Sequence, residues 1–182
     1  MLLHLGRQIN GNKKSKEESS KKYGTDLPLD IDEFNIVNEK SNFEKFVKIV
    51  SNNKITNYDF IEDNMSLEDL ALKLEDCEEY YMLYFDWKEP LDTIVHFTNE
   101  LLKRLNYNIK ITEEQVISKD NEFMKNRRND NIITTDNDLN VINEILKEKN
   151  YEYITFPIDA DGYWLAIIPR NKTEEIKMLG GN

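Results

Sequence analysis

Residues 151–169, YEYITFPIDADGYWLAIIP, decide the fold. Tyr151, Tyr153, Thr155 and Pro157 alternate with Glu152, Ile154, Phe156 and Ile158, and an unbroken apolar run follows from Tyr163 to Ile168. Alternation followed by a continuous apolar run predicts two strands. Asp161-Gly162 between them predicts a tight turn, because glycine takes the positive φ such a turn needs. The hairpin is expected at the centre of a sheet.

Working outward, the elements interleave. Upstream, Asp136 is expected to cap a helix whose apolar stripe is Leu139, Ile142, Ile145 and Leu146, with Lys147 and Lys149 suiting its C-terminal dipole. Downstream, Thr173 is expected to cap a short helix through Met178. Ser41 and Glu44 have the spacing of a capping box before Phe43, Phe46, Val47 and Val50, predicting a helix over 41–51. Ser66 to Asp69 repeats that signal before Leu67, Leu70, Ala71 and Leu74. The aromatic run from Tyr80 to Trp87 reads as a strand. Pro90 then opens a helix with Ile94, Val95, Phe97, Leu101, Leu102 and Leu105 on one face. Residues 108–111 read as a short strand, and Thr112 to Gln115 as a capping box opening a helix over 113–125. Helices and strands mix without a regular βαβ repeat. The expectation is an α+β fold, a mostly antiparallel sheet of about four strands with amphipathic helices packed mainly on one face.

Charge bounds the partners. The chain has 182 residues, 24 basic and 35 acidic, for a net charge of −11. Residues 1–24 hold six basic and two acidic groups, which leaves −15 on the rest. The expected organisation is a flexible basic tail over 1–24 and a single domain over 25–182. An acidic surface repels phosphate backbones and anionic membranes and favours a basic protein partner, so no nucleic acid is expected. No window reaches the roughly 18 apolar residues of a membrane span. The opening MLLHLG is too short for the apolar core of a secretory signal. A lone cysteine, Cys77, excludes an internal disulfide. The chain reads as cytoplasmic.

Chemistry-bearing patterns are scarce. Asp159, Asp161 and Gly162 invite comparison with a calcium loop, but Tyr163, Trp164 and Arg170 stand where that loop needs its fifth-position ligand, its glycine and its glutamate. The acids are read as the exposed tip of a hairpin. Asp86-Trp87 closes a strand; it reads as an aspartate capping the next helix beside a packed indole, with a buried general base as the sharper alternative. His96 falls among apolar helix positions and is expected to be partly buried, while Cys77 lies between Asp76 and Glu78, which disfavour a thiolate. No phosphate-cradling glycine pattern occurs, and only Gly162 lies away from the two ends of the chain. No catalytic residue, cofactor or metal ligand is assigned. The candidate interaction residues are Asp86, Trp87, Asp159, Asp161 and Tyr163.

The run Tyr84-Phe85-Asp86-Trp87-Lys88 before a helix, and the later Phe156 to Pro169 hairpin before Thr173-Glu174-Glu175-Ile176, resemble an uncharacterised family of small acidic bacterial proteins, a domain of unknown function. The resemblance spans about residues 40–178 and implies the α+β fold and a single domain; it carries no activity. The expected function is a non-catalytic acidic binding module, immunity- or antitoxin-like, for a basic protein. The alternatives are a self-associating accessory domain, with a homo-oligomer as its product, and an enzyme using Asp86 with Asp159 or Asp161.

Overall fold

The computed structural model describes residues 31–75, 80–125, 135–156 and 162–180. Cys77, Asp159, Asp161 and the basic tail lie outside them. In chain order the elements are α1 (Lys40–Val50), α2 (Leu67–Glu75), β1 (Leu83–Asp86), α3 (Leu91–Arg104), α4 (Glu113–Lys125), α5 (Thr135–Glu148), β2 (Tyr151–Thr155), β3 (Gly162–Pro169) and α6 (Thr173–Lys177). Single 3₁₀ turns flank α6. The class is α+β.

β3 is the central strand of an antiparallel sheet ordered β1-β3-β2. Leu83 faces Leu165 and Asp86 faces Gly162 on one side, while Tyr151 faces Pro169 and Thr155 faces Leu165 on the other. The sheet has three strands among the described residues, not about four. The expected strand over 108–111 does not form because its last residue is engaged elsewhere. The side-chain amide of Asn99 on α3 donates to the Ile111 carbonyl and accepts from the Ile111 N–H, each at 2.8 Å, standing in for a strand neighbour.

Helices cover both faces of the sheet, not mainly one. Alternate β3 side chains part to opposite sides. Trp164, Ala166 and Ile168 join α1, α2 and Ile176 of α6 in one core, with Ile154 and Phe156. Leu165 and Ile167 join α3, α5 and Val116 of α4 in the other, with Leu83, Phe85 and Tyr153. A strand buried on both faces needs apolar residues at every position, which is what the run from Trp164 to Ile168 supplies.

The outer edge of β2 is closed. The Tyr153 N–H donates to Asn143 Oδ1 of α5 at 2.8 Å. The Thr155 N–H donates to the Asp32 carbonyl and the Phe34 N–H to the Thr155 carbonyl, a single parallel bridge. The outward N–H of Tyr153 and both outward backbone groups of Thr155 therefore have partners supplied by α5 or by the segment before α1.

Local start signals fare unequally. Ser66 and Asp69 form a reciprocal box at α2, the Asp69 N–H donating to Ser66 Oγ at 3.0 Å and the Ser66 N–H to Asp69 Oδ2 at 3.2 Å. Thr112 and Gln115 do the same at α4, at 3.3 and 3.0 Å. Ser41 does not cap α1, which begins at Lys40 after Glu39 in extended conformation. Thr173 is the first helical residue of α6; its one hydroxyl proton is shared between the Arg170 carbonyl, at 2.9 Å, and the buried Glu152 carboxylate.

Gly162 is not the turn glycine that its Asp-Gly context predicts. It is the first residue of β3, opposite Asp86, and its φ lies outside the left-handed region. Glycine is needed for space: a Cβ there would sit 2.3 Å from the Phe85 carbonyl oxygen and 2.7 Å from the Tyr84 ring.

Candidate functional site

The candidate residues that can be placed gather where β1 ends and β3 begins. Asp86 closes β1 and turns the chain toward α3. Its Oδ1 accepts from the Lys88 N–H at 2.9 Å and its carbonyl accepts from the Glu89 N–H at 3.0 Å. This is the local side-chain-to-backbone bond that aspartate makes at turns. Asp86 therefore shapes the turn and does not cap α3, whose N-cap is Pro90 with no side-chain cap bond.

The Trp87 indole is not packed into the core; it is 38% exposed. Lys88 Nζ lies 3.9 Å from the centre of its ring, a cation on an aromatic face. Tyr84, also exposed, leans on Trp164 with ring centres 5.2 Å apart. The carboxylates of Asp86 and Asp92 are exposed and that of Glu89 partly so.

Tyr163 is a different kind of residue. It pairs with Phe85 across the sheet, is half-buried, and its phenol donates to Asp136 in the first turn of α5. Thr135 Oγ1 donates to the Glu89 carbonyl at 3.3 Å, so the start of α5 is pinned both to β3 and to the turn after β1. Burial raises the Asp136 pKa, and the bond from Tyr163 opposes that rise. Burial also raises the Tyr163 pKa, with the Asp136 charge acting in the same direction.

Two residues further along α5 lies a group that sequence reading missed. Asp138 is only 4% exposed, and burial pushes its carboxyl up to about 7, with the charge of Asp120 on α4 adding to the rise. Asn137 Nδ2 donates to Asp120 Oδ1 at 2.8 Å, bridging α5 to α4. Sequence held a signal: stepping back four residues from Ile142 and seven from Ile145 puts Asp138 on the inward stripe of α5. A carboxylate in an apolar register is the pattern for a raised pKa.

Asp86, Trp87 and Tyr163 thus share one end of the sheet, yet only Asp86 and Trp87 face solvent. Asp159 and Asp161, which the enzyme alternative needs, lie outside the described residues. Among the described residues no group of three His, Cys, Asp or Glu side chains could hold a metal ion, and no helix is long and apolar enough to cross a membrane. His96 is exposed, not partly buried, and its ring packs on Phe97 with centres 5.2 Å apart.

The molecule is defined at this level as an α+β domain with an acid and an exposed tryptophan at the end of its outer strand. Residues 30–182 match the model of a family described as Domain of unknown function (DUF6630), and the chain belongs to that family. No curated protein and no solved structure matches the chain.

Proposed function

We propose that this protein is a non-catalytic acidic binding module, of the immunity or antitoxin kind, that engages a basic protein in the cytoplasm through the single domain formed by residues 25–182. The observation that carries the reading is the pairing of exposed Asp86 and Trp87 at the end of β1 on a chain of net charge −11. Aromatic anchors are the residues that most often dominate protein interfaces, and acidic charge around them speeds encounter with a basic partner. Half-buried Tyr163, at the same end of the sheet, is bonded to Asp136.

Affinity capture from the native host at low and at about physiological salt tests this. The expected result is a basic protein retained at low salt, weakened as salt rises, and lost when Asp86 and Asp92 are both changed to lysine. Retention that ignores both salt and those substitutions overturns it. A concentration-dependent mass in light scattering, with no heterologous partner, would establish the self-associating alternative instead.

A further inference from the structure

We infer that the turn after β1 is a docking site for one lysine or arginine side chain of that basic partner, and that Lys88 occupies the place of the incoming cation in the free protein. The inference rests on the binding-module reading and adds the site and the chemistry it recognises. Lys88 Nζ sits 3.9 Å from the Trp87 ring centre, so the indole face is already oriented to accept a cation. Asp86, Glu89 and Asp92 supply carboxylates on the same turn and on the first turn of α3. The Asp86 carboxylate is anchored by the Lys88 N–H at 2.9 Å, which fixes the backbone beneath both side chains.

The arrangement favours exchange. Lys88 is exposed and Trp87 is 38% exposed, so the internal contact is wet and weak, and breaking it returns the ammonium to water. A partner's lysine or arginine arriving as part of a larger surface would shield the ring from solvent, where a cation on an aromatic face is attracted more strongly. Arginine would in addition stack its planar guanidinium and reach a carboxylate with two N–H groups. Lys88 then serves as an internal competitor, holding Trp87 in its docking orientation while it keeps that face from nonspecific apolar contact.

The test is a titration of the full chain, labelled with ¹⁵N, followed through its two indole N–H resonances. The probes are amidated eight-residue peptides of alternating glycine with lysine, arginine or norleucine. The Trp87 resonance, assigned by its loss in Trp87→Phe, is expected to move saturably with the lysine and arginine peptides and not with norleucine, while that of buried Trp164 stays put. Trp87→Leu should weaken binding at least tenfold in a protein whose spectrum is otherwise native. Lys88→Ala should tighten binding severalfold, and by more than Lys45→Ala, which makes the same change in net charge on α1.

Basic peptides that bind with Trp87 unmoved, or equally well to Trp87→Leu, overturn the site while leaving the acidic-module reading in place. Equal tightening by Lys88→Ala and Lys45→Ala overturns the competitor role. No binding of either cationic peptide even at low salt overturns both readings.

Discussion

The phenol of Tyr163 donates to the carboxylate of Asp136, and that bond ties the first residues of β3 to the first turn of α5. Both groups are half-buried. Removing the phenolic hydroxyl leaves a partly desolvated carboxylate short of a donor, which costs about 1–3 kcal/mol. Tyr163→Phe is therefore expected to lower the unfolding free energy at neutral pH by that amount, read as a lower urea midpoint. The loss should shrink in acid, where a protonated Asp136 no longer needs the donor. An unchanged midpoint would remove the link between β3 and α5 as a stabilising contact.

Gly162 faces Asp86 with no room for a side chain. A methyl group at 2.3 Å from the Phe85 carbonyl forces β1 and β3 apart, because the obstacle is backbone and cannot rotate away. Gly162→Ala should cost about 1–3 kcal/mol or more, the range for overpacking a close contact. Thermal unfolding checks this. A stabilised variant would mean that β1 and β3 leave room for a side chain at Gly162.

Asp138 makes stability fall as pH rises. Its folded pKa of about 7 lies above the 3.8 of an ordinary aspartate, so the unfolded chain ionises first and the folded state carries the penalty of a buried charge. Below pH 3.8 both states are protonated and no penalty exists; it grows between 3.8 and about 7 and is complete above. Asp138→Asn should remove it. The difference between variant and parent stabilities, read from urea unfolding at a series of pH values, is expected to grow in favour of the variant over that window and then level off. A flat difference would mean that Asp138 titrates normally.

The two tryptophans should behave oppositely. Trp164 is 7% exposed and lies in the core with α1 and α2, so Trp164→Ala is expected to cost about 3–5 kcal/mol. Trp87→Ala should cost less than about 1 kcal/mol, as surface substitutions do. Chemical denaturation of both variants is sufficient, and a large loss at Trp87 would argue against a recognition role for it.

Much of the local structure was legible. The Ser66 and Thr112 boxes formed because both partners lie within one helical turn, so nothing distant can displace them. Ser41 offered the same spacing and failed, since the chain enters α1 already held at Val37, whose N–H donates to the Leu179 carbonyl at 2.9 Å. The continuous apolar run of β3 carried the two-sided burial in plain view. Such a run belongs to a strand covered on both faces, whereas one-sided packing would have shown alternation through Ile168.

The site was half legible. Asp86 and Trp87 could be named from their place at a strand end, but the exposure of the indole and the position of Lys88 on its face depend on how the turn folds back. Tyr163 was named as an interaction candidate, and its phenol is bonded to Asp136, a partner 27 residues away. The sequence by itself determined the α+β class, the helix positions, the strand character of Tyr151–Thr155 and Gly162–Pro169 and the net negative charge, because these follow from local periodicity and composition. Tertiary structure alone decided that Gly162 serves space and not a turn, and that Asn99 replaces a strand at Ile111. Each of those is set by atoms brought together from distant parts of the chain, which no local pattern records.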